Sequence, residues 1–283
     1  MIREIDVAII RDKIAELAVE ANLRLPAGAS EQLLSLADSD VEQNPLCRGI
    51  LRDMYDNTEA AVRLNVPICQ DTGMAVVFID VGQDVHFVGG DITQAINAGV
   101  AAGYERGYMR MSVVADPLER INTNTNTPAI IHTRIVAGDR VKILFAPKGF
   151  GSENMSRVKM FTPSATDDDI LDFITETISV AGGNPCPPVT VGVGIGGDFE
   201  LCAVLAKRAL AREFGSANPK PRYAAIEREA LARINALGIG ACGFCGSVSG
   251  LYVNVEEYAT HIAGLPVAVN VGCYVNRHAE CTV

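Results

Sequence analysis

Apolar residues at Val7, Ile10, Ile14, Leu17 and Ala21 recur at three- and four-residue steps, the period of a helix face that packs on a core. Breaks fall at Leu25-Pro26-Ala27-Gly28 and Asn44-Pro45. Residues 2 to about 64 are therefore expected to be helical throughout, with Ser30 capping the second helix. Cys47 falls just inside the third helix and reads as core. The period then changes. Residues 75–81 are apolar at every position but Asp80, a run of strand length that suits a buried strand. Asp91 is placed to cap a helix from 92 to about 108, whose packing face is alanine and glycine. Arg106 and Arg110 lie at its end, where cations suit the helix dipole.

Strands are predicted over 129–135 and 142–145, joined by the turn Ala137-Gly138-Asp139. Thr166 and Asp169 read as a capping box with Asp in place of Glu, opening a helix that runs to Val180 and stops at Gly182-Gly183. A strand over 189–197 runs into glycines, and Asp198 caps a helix over 199–214. Another helix covers 223 to about 237, and a glycine-rich stretch follows over 238–250. Strands at 251–255 and 266–271 bracket His261. The expected fold is mixed α/β: mixed sheets flanked by helices, with a helical subdomain over 1–64 on a mixed body over 65–283. There is no internal repeat.

The 283 residues are 48% apolar and 20% charged, the balance of a soluble globular protein. With 24 basic and 34 acidic side chains the formal charge is −10, and no basic block exists. This argues against nucleic acid and anionic membrane as partners. No apolar run approaches the roughly 20 residues of a membrane helix, and the N-terminus has no signal core, so the protein is assigned to the cytoplasm. Eight cysteines in such a chain do not suggest a disulfide framework. They are small buried hydrophobes or metal ligands.

Candidate chemistry concentrates in loops. Pro67-Ile68-Cys69-Gln70-Asp71-Thr72-Gly73 packs a thiol, an amide and a carboxylate between a helix and a strand, with Pro67 restraining the entry and Gly73 freeing the exit. It suits a metal ligand beside a proton donor, or a turn holding a buried cysteine. The alternating amides and hydroxyls from Asn122 to Thr127 suit a turn whose side chains bond backbone or a ligand. Lys148-Gly149-Phe150-Gly151-Ser152-Glu153-Asn154 is a second candidate site or an ordinary glycine turn; it lacks P-loop spacing. In Asn184-Pro185-Cys186-Pro187-Pro188 the thiol is expected in a rigid, extended segment. Cys242 and Cys245 form the one CxxC pair, read as two buried small side chains. Cys69, Cys186 and Cys273 each sit in a Pro- or Gly-flanked loop beside a strand. Three thiolates suit an iron–sulfur cluster more than a hard ion, leaving one iron open as a Lewis acid.

At this point the chain resembles the α subunit of two-subunit class I fumarases and L-tartrate dehydratases. The resemblance is carried by Cys69-Gln70-Asp71-Thr72-Gly73, Asn126-Thr127-Pro128-Ala129, Ala146-Pro147-Lys148-Gly149, Gly151-Ser152-Glu153-Asn154, Pro185-Cys186-Pro187-Pro188 and Leu265-Pro266-Val267-Ala268-Val269-Asn270. It spans nearly the whole chain. It implies that Cys69, Cys186 and Cys273 hold a [4Fe-4S] cluster, and that Gln70, Arg110 and the backbone at Gly151 bind the substrate carboxylates. Asp71, paired with His261, is the implied acid for the departing hydroxyl. Without the resemblance, His261 would read as a core histidine and Arg110 as a surface cation at a helix end.

Three departures stand out: Phe150 within an expected Gly-Gly-Gly-Ser run, Asn124-Thr125 in place of Gly-Asp, and Gly240-Ala241-Cys242 in place of a Gly-Pro turn. In single-chain members a C-terminal swivelling domain supplies the base and further cationic contacts. This chain stops ten residues after Cys273, so a separate β subunit is expected, in an α2β2 assembly or on a homodimer of α. The implied activity is reversible hydration of a small dicarboxylate, fumarate/L-malate first and L-tartrate next. A redox or iron-sensing protein and a zinc-binding scaffold are the readings from other classes.

Overall fold

A computed structural model describes residues 2–283. The chain divides into two compact units, one of Met1–Pro26, Asn57–Phe150 and Arg277–Val283, the other of Ala27–Asp56 and Gly151–Asn276. Helices and mixed sheets alternate in both, the mixed α/β class expected. No helix among the described residues is long and apolar enough to cross a membrane. No disulfide joins any of the eight cysteines.

In the first unit a short strand, β1 (Arg3–Asp6), precedes helix α1 (Val7–Leu23), so helix does not extend back to residue 2. Only Ile5 of β1 is buried, too little for a period to register; parallel pairing with β3 (Val85–Val88) makes it a strand. The main sheet has the order β10-β5-β2-β4, built from β2 (Met74–Gly82), β4 (Ile130–Val136), β5 (Val141–Lys148) and β10 (Ala279–Thr282). Strand β2 runs parallel to β4 and antiparallel to β5. Ile10, Ile14 and Leu17 of α1 pack with Ile96, Val100 and Tyr104 of α4 (Ile92–Arg106) over Ala75, Val77 and Ile79. Asp91 caps α4 as expected, accepting from the Gln94 N–H at 2.8 Å. The small face of α4 lets the two helices touch, since a Cβ on Gly99 would stand 2.4 Å from the Arg11 carbonyl oxygen.

In the second unit α2 (Ala29–Asp38) and the first part of α3 (Pro45–Leu64) bury Leu33, Cys47, Leu51 and Met54 around Ala241. Ser30 is not the cap of α2. Gly28 occupies that position at φ +84°, and the Ser30 hydroxyl lies inside the helix against Glu31. The sheet has the order β6-β9-β7-β8, from β6 (Arg157–Phe161), β7 (Val189–Gly197), β8 (Gly250–Thr260) and β9 (Leu265–Gly272). Val189, Val191, Val193 and Ile195 face α6 (Asp167–Ala181) and α8 (Pro221–Ala236), while Cys202 and Ala206 of α7 (Phe199–Ala209) pack on Ala268. The Thr166–Asp169 capping box is present on both sides. Helix α7 ends at Ala209 rather than 214, because Arg212 is drawn into tertiary bonds with Glu227 (2.8 Å) and Asn254 (3.0 Å). Strands β6 and β10 left no period in the sequence. In β6 all five positions are exposed or half-buried, and Lys159 lies over the Phe161 ring at 4.3 Å.

Burial holds the His278 imidazole near a pKa of about 4, and its Nδ1 meets no partner among the described residues. The folded ring stays neutral down to that pH, whereas the unfolded ring takes a proton near 6.5. The unfolded state thus binds more protons between these values, and stability falls as pH drops through that window. Urea titrations at pH 7 and pH 4.5 will show wild type losing about 2–3 kcal/mol more than His278→Leu. An equal acid loss in both proteins would contradict this.

Candidate functional site

The loop after α3 is pinned from the core side of the first unit. The Ile68 N–H donates to the Asn22 carbonyl at 2.9 Å, and the Asn57 amide donates to the Ile68 carbonyl at 2.9 Å. The Tyr104 hydroxyl donates to the Gly73 carbonyl at 3.0 Å, and Arg277 donates to the Asp71 carbonyl at 2.5 Å. Gly73, at φ +79°, swings the chain past Lys148 into β2 as its sequence position suggested. The carbonyls of Ile68, Asp71 and Gly73 are thus taken by side chains. The backbone N–H groups of Cys69, Gln70, Asp71 and Thr72 meet no acceptor among the described residues.

Two N–H donors converge on the Asp71 carboxylate, Gly73 at 3.1 Å and Phe150 at 2.9 Å. Phe150 opens the four-residue helix α5 (Phe150–Glu153), a helical turn where a glycine loop was expected. The Cys69 thiol is half-buried and 3.5 Å from the exposed Gln70 amide oxygen. Tyr104 is fully enclosed, and burial drives its phenol above the ordinary tyrosine range, with Arg277 opposing and Asp71 adding to the shift.

Arg110 is not a helix-end cation. Helix α4 stops at Arg106, and Tyr108, at φ +53°, turns the chain away. The Arg110 backbone is then gripped by the polar turn that follows. Its carbonyl accepts from buried Asn126 at 3.0 Å and from the Thr72 hydroxyl at 3.4 Å, while the Asn126 oxygen takes the Ser112 N–H at 2.7 Å. The alternating amides and hydroxyls do what that composition implied: they bond backbone. The Arg110 side chain is left exposed beyond a fixed backbone.

In the second unit Cys186 is not in an extended segment. It sits in a turn at φ +54°, its N–H donating to the Gly183 carbonyl at 3.2 Å, because the chain must reverse from α6 into β7. Cys273 follows the last residue of β9, and its carbonyl accepts from the Thr190 hydroxyl at 3.4 Å. Thr190 is the register partner of Gly272, so the loops carrying Cys186 and Cys273 leave the sheet at the same end of neighbouring strands. Gly151 lies in α5, which is tied to the sheet through Glu153. That carboxylate pairs with Lys207 and accepts from the Asn270 amide at 2.8 Å.

His261 is not a core residue. It is exposed in the turn between β8 and β9, its Nδ1 accepting from the Ala263 N–H at 3.2 Å. Cys242 and Cys245 are likewise not buried; both are exposed at positive φ, 50° and 58°. Their loop is braced by Glu42, wholly buried, which accepts from Ser247 at 3.1 Å and Val248 at 2.9 Å. It is also held against the cysteine–proline segment, the Cys242 N–H donating to the Pro187 carbonyl at 2.8 Å. Glu42, Tyr104 and Arg277 carry no motif signal. Each acts on residues distant in sequence, which is why sequence patterns passed over them.

Among the described residues no three Cys, His, Asp or Glu side chains gather as a metal site. Cys69 belongs to the first unit, Cys186 and Cys273 to the second. The donor chemistry nevertheless fits an iron–sulfur cluster. Cys69 adjoins a row of backbone N–H groups without acceptors, the kind of donor that bonds thiolate and sulfide sulfur, and the other two thiols share one sheet end.

Comparison with known proteins agrees with these motifs. A family model described as fumarate hydratase (Fumerase) matches residues 11–282. The putative L(+)-tartrate dehydratase subunit alpha of Methanocaldococcus jannaschii is 38% identical over 279 residues, covering 95% of this chain and 96% of its own. The L(+)-tartrate dehydratase subunit alpha of Escherichia coli K12 is 31% identical over 274 residues, covering 95% and 89%.

Proposed function

Because the chain belongs to the fumarate hydratase (Fumerase) family, we propose that it is the α subunit of an iron–sulfur hydro-lyase acting on a small 2-hydroxy dicarboxylate. The observation that carries this is the Cys69–Gly73 loop. A thiol, an amide and a carboxylate are presented side by side on a backbone whose Asp71 and Gly73 carbonyls are held by Arg277 and Tyr104, while the N–H groups of residues 69–72 are unspent. Such a loop is built to receive anions. In a chain of formal charge −10 that property is local and not general.

Cys69, Cys186 and Cys273 are the residues that would hold a [4Fe-4S] cluster. When bound, it supplies an iron without a protein ligand, a Lewis acid toward the hydroxyl that leaves. Gln70 donates its amide to one substrate carboxylate, Arg110 adds a guanidinium, and the backbone at Gly151 adds an N–H. The carbon–oxygen bond breaks as the hydroxyl takes a proton from Asp71, with His261 as the partner that re-protonates the acid. The carbon-bound proton goes to a base outside this chain, and water and the alkene leave. The Gly73 and Phe150 N–H groups fix the plane of the Asp71 carboxylate, one on each oxygen.

The relatives' names end in "subunit alpha", which supports a separate partner subunit; the assembly proposed is α2β2, in the cytoplasm. L-malate and fumarate form the first substrate pair. L-tartrate is the second reading, favoured by the names of both relatives. The test is co-purification with the partner subunit, anaerobic loading with iron and sulfide, and assay on L-malate, fumarate and both tartrate enantiomers. Turnover by the assembled protein and little or none by the α chain alone is expected. An iron-loaded assembly inert on every dicarboxylate would overturn the reading.

A further inference from the structure

Arg277 is only 4% exposed, yet no carboxylate among the described residues pairs with it. Its Nη2 donates to a single neutral acceptor, the Asp71 carbonyl, and its Nε, equally buried, meets none. Enclosing a guanidinium on such terms is costly, and an apolar side chain of similar size would serve the core better. The charge is retained beside one place: its field and that of Asp71 both reach the Tyr104 hydroxyl, which itself holds the Gly73 carbonyl. Arg277, Tyr104 and the Asp71–Gly73 backbone therefore form one neighbourhood on the inner side of the loop.

We propose that Arg277 is a positioning residue for the dehydration step, clamping the Asp71 peptide and setting a fixed cation behind the loop that presents Cys69, Gln70 and Asp71. This rests on the hydro-lyase reading and deepens it. Asp71 is held at both ends. Its carboxylate is fixed by the Gly73 and Phe150 N–H groups, and its own carbonyl is fixed by Arg277. Releasing the carbonyl lets the peptide between Asp71 and Thr72 rotate. That rotation would carry the acid off the line of the leaving hydroxyl and tilt the Gln70 side chain that precedes it. Proton transfer depends steeply on such alignment, whereas carboxylate binding is shared among several groups. Loss of Arg277 should therefore weigh on kcat more than on KM.

The test compares Arg277→Gln and Arg277→Lys with wild type in the full assembly with the partner subunit. For Arg277→Gln the expected result is kcat reduced about 30-fold or more, with KM raised no more than about 3-fold. Arg277→Lys, which keeps the charge and one donor, should recover a substantial part of kcat. A purely structural role would lower the melting temperature and the yield of assembled protein, with kcat per assembled, iron-loaded site unchanged. That outcome, or Lys performing no better than Gln, overturns the proposal.

Hydrogen exchange on the α chain supplies a second measurement that needs no turnover. The amides of Gly73 and Phe150, both bonded to the Asp71 carboxylate, should exchange about 10-fold faster in Arg277→Gln while those of β2 keep their protection. Unchanged loop exchange overturns the clamp even if the wild-type assembly proves inert on dicarboxylates, so failure of this inference is separable from failure of the functional reading. Should Arg277→Gln not fold, Arg277→Met, which removes the charge and the donors at similar volume, takes its place: kcat within twofold of wild type together with wild-type loop exchange overturns the proposal.

Discussion

Replacing Gly194 by alanine will detach helix α7 from its sheet and cost the second unit about 3 kcal/mol or more. Strand β7 alternates between two surfaces. Its odd positions, Val189 to Ile195, fill the core under α6 and α8, and its even positions lie under α7. There the helix backbone comes so close that a Cβ on Gly194 would sit 2.0 Å from the Cys202 carbonyl oxygen, and one on Gly192 2.0 Å from that of Ala206. No rotamer relieves this, because both partners are backbone. Helix α7 also carries Lys207, whose pairing with Glu153 ties α5 to Asn270 on β9. Loosening it should disturb the loop leading to Cys273 as well as the core. Urea denaturation of Gly194→Ala beside Gly49→Ala checks this, since a Cβ on Gly49 meets nothing within 4 Å. The first should unfold at a clearly lower urea midpoint and the second should match or exceed wild type. Equal midpoints would show that the contact relaxes at no cost.

If Cys273 holds the proposed cluster, Cys273→Ser will abolish iron retention, whereas Cys242→Ser will leave it near wild type. A serine hydroxyl is a harder, far less acidic donor than a thiol and holds iron–sulfur clusters poorly. After anaerobic loading and gel filtration, wild type should keep about four irons per α chain and Cys273→Ser less than about one, with turnover of the assembly below about 1%. Cys242 is exposed in a loop braced by Glu42 and Asn44, and its backbone N–H, not its thiol, bonds Pro187. The opposite pattern, Cys242→Ser losing iron and Cys273→Ser keeping it, would transfer the cofactor to the CxxC pair and favour a redox or sensing protein. Zinc retained by both variants would favour a scaffold.

Much of the fold was legible because burial imposes periods. The steps of three and four over Val7–Leu23 and the apolar run of β2, interrupted only at Asp80, each place a face against a core. Caps were legible for a related reason: Asp91, Thr166 and Asp198 satisfy helix donors one turn away, so local sequence suffices. Ser30 shows the limit of that rule, since Gly28 beside it could take a conformation closed to serine and moved the helix start. Strands β1, β6 and β10 escaped notice because edge positions carry charge on open faces. The cysteine loops were visible as motifs, but not their conformations. Cys186 was expected to extend and instead turns, and Cys242 and Cys245 were expected inside and lie outside.

Residue order alone establishes the mixed α/β class, the positions of most helices and central strands, an acidic charge balance, and the motifs that place the chain beside fumarate hydratases. Those are properties of neighbours along the chain, where spacing and side-chain chemistry act within a turn or a strand. Tertiary structure alone decides that Asn57, Tyr104 and Arg277 hold one loop by its carbonyls, that Asn126 grips Arg110, and that Glu42 braces the CxxC turn. Each of these is a hydrogen bond between groups far apart in sequence. A donor's partner is set by where the packed core carries it, and no local pattern encodes that.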